Sequence, residues 1–143
     1  MAELLAGLAG TGPATFLRIS WWGYPLVNVA HVLGLATLFG AILVHDVRLL
    51  RGTPGDPTAV AAAVAGLTVA GVSGFLLFAV RAPEYAAMPM FWLKIAAVAV
   101  AVGNAVVARA SGLVHRRPRM VAAVSLLGWT AAVVAGRLIG YSA

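Results

Sequence analysis

Histidines and cations set inside apolar runs are the residues of this chain whose types and spacing could do chemistry. His31 and His45 both lie in Trp21 to Arg51, WWGYPLVNVAHVLGLATLFGAILVHDVRLLR, which contains an apolar run long enough to cross a bilayer. They stand fourteen residues apart in the chain. At about 100° per residue this spacing returns them to nearly one helix face, roughly 21 Å apart along the axis. Gly34, Leu38 and Ala41 fall between them on that face, and Asn28 lies one turn before His31. Such a face could hold a flat cofactor or receive another helix closely.

Ionisable groups inside membrane spans are rare and costly, so each has a chemical and a structural reading. His31, in the outer half of the first span, could be an axial haem ligand or proton carrier. It could equally bond a polar group such as Asn104 or Ser73 on a neighbouring helix. Lys94, early in the third span, reaches a similar depth once its stem is counted, or it snorkels to the interface. Arg137, near the outer end of the fourth span, completes the layer. One imidazole with two cations suits an anionic ligand such as the propionates of a tetrapyrrole, and Gly34 would let the porphyrin approach the helix. At the inner end, His45, Asp46 and Arg48 close the first span, and His115 belongs to the loop after the third. His45 and His115 form the alternative metal-ligating pair, or are exposed or capping interface histidines. Asp46 and Arg48 read as structural anchors, able to neutralise each other or pair with Arg109.

Counting ligands removes several chemistries. With three histidines the chain cannot hold two bis-histidine haems, and with no cysteine it has no disulfide, iron–sulfur cluster or thiolate metal site. Asp46 is the one acid in or at the edge of a span, against a carboxylate metal site. Met88 and Met90 are a lone pair, too few for a copper path. No motif for nucleophilic catalysis or nucleotide binding occurs.

The elements that must position these residues follow from hydropathy. The 143 residues are 62% hydrophobic and 10% charged, where a soluble domain has about a quarter charged. Four apolar stretches, about 23–47, 58–80, 89–110 and 119–140, predict an all-α, four-helix transmembrane bundle, up and down, spanning 21–143. Residues 1–20 read as a short interfacial helix broken at Thr11-Gly12-Pro13, and Phe16, Trp21, Trp22 and Tyr24 as a headgroup-level anchor. The second span carries small residues on one side (Ala62, Gly66, Val69 or Ala70, Ser73), the pattern of a packing helix. Arg48, Arg51, Arg109, Arg116, Arg117 and Arg119 fill the loops after the first and third spans, 48–57 and 109–119. The positive-inside rule makes these loops cytoplasmic and turns both termini outward. Their charge answers to anionic headgroups rather than nucleic acid.

The run from Trp22 resembles a family of small, uncharacterised four-helix bacterial membrane proteins. The first span there has the form W-x-x-P-(x)n-H-x-x-G…G-x-x-x-x-D-x-R-L-x-G, matched by Trp22, Pro25, His31, Gly34, Gly40, Asp46, Arg48 and Leu49. PEYAAMPMFWLK, with Pro83, Glu84, Tyr85 and Lys94, and GRLIGY, with Gly136, Arg137 and Tyr141, extend the likeness. More distantly the chain is similar to the four-helix bacterial protoporphyrinogen oxidase and to copper-resistance D-type membrane domains. The oxidase likeness implies haem b, with functional roles for His31 and Lys94. This chain departs from the oxidase at the end of the first span, D-V-R-L-L-R in place of R-x-F-x-Y-H. The expectation is a b-type haem protein of the bacterial inner membrane, in electron transfer or porphyrin- or quinone-linked chemistry. His31, Gly34, Lys94 and Arg137 would form its site. The competing expectation is a cofactor-free structural or accessory subunit of a larger membrane complex. Expected partners are the bilayer and a membrane redox complex or quinone, with a homo-oligomer left open.

Overall fold

A computed structural model describes residues 2–141, so that Met1, Ser142 and Ala143, the outermost residues of the two expected segments, lie outside it. Eight helices occupy the described residues: α1 (Ala2–Ala9), α2 (Gly12–Ile19), α3 (Gly23–Leu50), α4 (Pro57–Val80), α5 (Ala82–Ala87), α6 (Pro89–Ala110), α7 (Leu113–Arg116) and α8 (Pro118–Ile139). The four long ones, α3, α4, α6 and α8, have the length and apolarity to cross a membrane. The chain is an all-α, multi-pass membrane protein with these helices packed antiparallel.

Each long helix starts and stops for a readable reason. Asp56 caps α4, its Oδ1 accepting from the Thr58 N–H at 2.8 Å and the Ala59 N–H at 3.3 Å. Pro57, Pro89 and Pro118 open α4, α6 and α8, where a missing N–H costs nothing. α3 runs three residues past the expected Val47. It ends in a Schellman turn, with Gly52 at φ +78°, its N–H bonded to the Leu49 carbonyl at 3.1 Å and the Thr53 N–H to the Arg48 carbonyl at 3.0 Å.

The helices stand in the order α4–α3–α8–α6. The closest pairs are α3 with α4 and α6 with α8, α3 also meets α8, and α4 and α6 meet through side chains, Phe78 stacking on Phe91. The α3–α4 seam is closed by absent side chains. A methyl on Gly34 would lie 2.7 Å from the Ala70 backbone nitrogen, and one on Gly66 would lie 2.5 Å from that of Leu38. The stripe of α3 carrying His31, Gly34 and Leu38 therefore receives a helix, and the small side of α4 (Ala63, Gly66, Ala70, Ser73) is buried against it. Gly128 meets Ala101 where α8 crosses α6, and Asn104 Nδ2 donates across that pair to the Val121 carbonyl at 3.0 Å.

The gap between α4 and α6 is filled at mid-depth by Leu38, Phe39, Leu67, Val98, Val102 and Trp129. It opens into a cavity at each end. The expected interfacial segment is two short helices: α1 packs on α5 and α4, α2 on α3 and α4, and Ala14 and Leu17 are buried there. Tyr24 is half-buried while Phe16, Trp21 and Trp22 are exposed.

Candidate functional site

The cavity at the α5 end, about 750 Å³, brings together three of the four expected site residues: His31, Lys94 and Arg137. α3 presents His31 toward α4, where the Nδ1 lies 2.9 Å from the Ala70 carbonyl and 3.2 Å from Ser73 Oγ. A carbonyl only accepts, so Nδ1 carries the proton. Ser73 sends its own hydrogen to the Val69 carbonyl and turns a lone pair to the imidazole. Nε2 is thereby the unprotonated, acceptor nitrogen of a side chain that lines the cavity. Gly74 makes room for this arrangement: a methyl there would lie 2.9 Å from the His31 Cε1.

Lys94 enters the same cavity from α6, its stem against Gly136 of α8. No carboxylate pairs with it among the described residues. Arg137 is exposed, donates to the Tyr141 hydroxyl at 3.1 Å and lies 5.0 Å from that ring. Phe78, Tyr85 and Phe91 form an aromatic wall, with Phe78 and Phe91 stacked at 5.0 Å between centroids. Tyr85 hydrogen-bonds Tyr24, and burial followed by that bond pushes its phenol up to about 12. Arg81 and Glu84 form an ion pair at the rim.

Gly34 does not line this cavity. Expected to admit a porphyrin beside His31, it is closed by the Gly66 carbonyl and the Ala70 backbone of α4. Close approach was the right property of the residue, but the approaching body is a helix.

The cavity at the α7 end, about 800 Å³, is lined among others by His45, Asp46, Asn104, Arg109, His115 and Ser125. His45 Nδ1 lies 3.1 Å from the Asp56 carbonyl and 3.0 Å from the Asp56 N–H, so either tautomer ties the ring to the α3–α4 loop. Gly55 packs on that ring so closely that a methyl would lie 2.3 Å from Cε1. His115 is exposed on α7. Both histidines thus reach one cavity, with His45 held as a loop fastener, and no metal-binding group of three or more His or acidic residues occurs among the described residues. Asp46 is buried beside Ser125, whereas Arg48 leaves the helix end to donate to the Pro54 carbonyl at 3.0 Å. The expected pairing of Asp46 with Arg48 or Arg109 is corrected: Arg81–Glu84 is the ion pair of the described residues.

Compared with protein-family models, curated proteins and solved structures, the chain matches none. The resemblances to small four-helix membrane proteins rest on their motifs alone.

The sequence reading missed the aromatic wall and the glycines Gly74 and Gly136 that seat His31 and Lys94. Part of the signal was present, since Tyr85 lies in PEYAAMP and Gly136 in GRLIGY. Of the two partners considered for His31, Ser73 is the neighbour, and Asn104 bonds α8 instead.

Proposed function

We propose that the α5-end cavity binds a flat anionic ligand, haem b, whose iron His31 would hold. One observation carries the reading: the His31 Nδ1–H is committed to a backbone carbonyl, as in metal-ligating histidines, on a side chain that lines a cavity with Lys94, which has no ion-pair partner among the described residues. The residues fit the group. Nε2 offers a neutral nitrogen donor, Lys94 and Arg137 offer charge to carboxylates, and the aromatic wall offers apolar cover. Bound haem would supply one-electron chemistry, in electron transfer or in porphyrin- or quinone-linked reactions. Within the protein, Ser73 and Ala70 orient the imidazole, Gly74 seats it, and Gly136 lets the Lys94 stem lie along α8. The setting is a bacterial inner membrane, with the arginine-rich loops at the α7 end cytoplasmic and the α5 end outward.

An absorption spectrum of the detergent-purified protein, oxidised and then reduced by dithionite, tests this with a pyridine haemochrome assay. The expected result is a Soret band that shifts on reduction, at about one haem per chain, as one axial histidine allows. His31→Ala should abolish it while the bundle still inserts. Haem retained at full occupancy in that variant would remove His31 as ligand. A colourless protein from haem-replete cells would overturn the reading and leave the accessory-subunit alternative.

A further inference from the structure

The α7-end cavity shares no lining residue with the α5-end cavity, and its polar groups divide by place. Those inside are committed to the protein: Asp46 to Ser125, Asn104 to the Val121 carbonyl and His45 to the Asp56 backbone. Asp46 is 3% exposed, so its carboxyl is closed to any occupant. What the interior presents is Leu38, Ile42, Leu67, Val102 and Trp129, a lining for hydrocarbon. The mouth is different. Arg109 and His115 line the cavity and are exposed, and the Arg119 guanidinium reaches from α8 to Gly52 of the same lining, 3.6 Å from where a methyl on that glycine would lie. None of the three has an ion-pair partner among the described residues. Asp56, the acid of the adjoining loop, is turned to the N–H groups of Thr58 and Ala59.

The cavity also reaches the lipid-facing surface. Val64 of α4 and Val106 of α6 both line it, yet they are 57% and 61% exposed. The Phe78–Phe91 stack that joins these two helices belongs to the other cavity. A hydrocarbon can therefore enter from the bilayer while its head stays among arginines. Guanidinium groups from two helices suit a phosphate, which has oxygens for both. We propose that the α7-end cavity is a site for one anionic glycerophospholipid, with an acyl chain inside and the phosphate on Arg109 and Arg119. The leaflet that the arginine-rich loops face supplies such lipids. The site does not depend on haem at the α5 end.

The test is native mass spectrometry of the delipidated full chain in detergent, titrated with phosphatidylglycerol and with phosphatidylethanolamine of identical acyl chains. The expected result is one saturable phosphatidylglycerol per chain, bound at least tenfold more tightly than phosphatidylethanolamine. Replacing both arginines, Arg109→Gln with Arg119→Gln, should cut that preference about tenfold or more, each arginine near an anionic head contributing on the order of fivefold. Both are exposed, so the fold should tolerate the change. Ala105→Phe, at an exposed α6 position of the cavity wall, should weaken both lipids and keep the preference. Glycerol phosphate, a head without a chain, should bind far more weakly than the lipid. Equal affinity for the two lipids, or addition of many lipids with no saturable first one, would overturn the proposal. So would wild-type preference in the double arginine variant, or wild-type binding by Ala105→Phe. Glycerol phosphate binding as tightly as the lipid would move the site to the loop surface and refute the acyl chain in the cavity. The haem spectrum of these variants should match wild type, so failure at this site and failure at His31 read out separately.

Discussion

Gly34→Ala tests the seam on which the α5-end cavity depends. The added methyl would lie 2.7 Å from the Ala70 nitrogen, about 0.7 Å short of ordinary contact, which begins at 3.4 Å. That neighbour is helix backbone and cannot rotate away, so α3 and α4 must separate. A gap of about 0.5–1 Å forfeits a quarter to a half of each dispersion contact along the seam. Overpacking of this kind costs roughly 1–3 kcal/mol, against a gain of at most about 1 kcal/mol from alanine's better helix propensity. The net effect is destabilising, and Gly66→Ala, 2.5 Å from the Leu38 nitrogen, should behave likewise. Gly40 and Gly71 have nothing within 4 Å, so alanine there should be neutral or stabilising. The assay is thermal unfolding in one detergent, where Gly34→Ala and Gly66→Ala should lower the midpoint by several degrees. Their double variant should lose less than the sum, because one displacement of α4 relieves both clashes. Equal midpoints for Gly34→Ala and Gly40→Ala would refute the close seam.

Three further outcomes follow from other parts of the fold. Hydrogen bonds from the Ala59 and Thr58 N–H groups hold the Asp56 carboxyl below its ordinary 3.8. The cap therefore stabilises fully above that value and is lost as pH falls through the lowered one. Asp56→Ala should lower the unfolding midpoint at neutral pH and converge on wild type in strong acid; a pH-independent difference would refute the cap. Burial, then the bond to Tyr24, raises the Tyr85 phenol from 10.0 to about 12, so its contribution to stability is complete below 10 and lost as pH rises toward 12. Tyr85→Phe should remove a phenol that ionises near 12 from a spectrophotometric titration, and a wild-type titration with no such phenol would contradict its burial. Since the chain has no cysteine, Thr53→Cys and Ser111→Cys report orientation cleanly. An impermeant maleimide should label them only after cells are opened, and labelling of intact cells would reverse the proposed topology.

Much of this could be read before the helices were placed, because lipid imposes a strong one-dimensional constraint. Apolar run length locates the spans to within a few residues, and turn chemistry such as GTPGDP marks their ends. The α3 end at Leu50 instead of Val47 is a matter of polarity: Asp46 and Arg48 look like boundary residues, yet Asp46 turns inward and the stop is the left-handed Gly52. The small-residue side of α4 was also readable, since it rests on periodicity alone. Rotation about each axis was not. Whether His31 meets Ser73 or Asn104, and whether Asp46 meets Arg48 or Ser125, depends on which helices are neighbours. Hydropathy assigns every span the same exterior.

The neighbour order has a physical cause that ties both cavities to one stretch of sequence. Gly34, Gly66 and Ala70 let α3 and α4 close to backbone contact, and Gly128 with Ala101 does the same for α8 and α6. Each tight pair gains packing that lipid cannot replace, while the larger Phe39, Leu67, Val102 and Trp129 fill the space where α4 faces α6. Polar groups too costly for lipid then have one refuge, the gap itself. His31 and Lys94 take one end of it, Asp46 and Asn104 the other. Had these residues only been tolerated in their helices, snorkelling or capping would have satisfied each separately. Instead Lys94 and the Asp46 Oδ2 stand without hydrogen-bond or ion-pair partners among the described residues at opposite ends of the same gap. The bundle thus gathers its intramembrane polar groups into the space between the two tight pairs and not onto its lipid-facing surface.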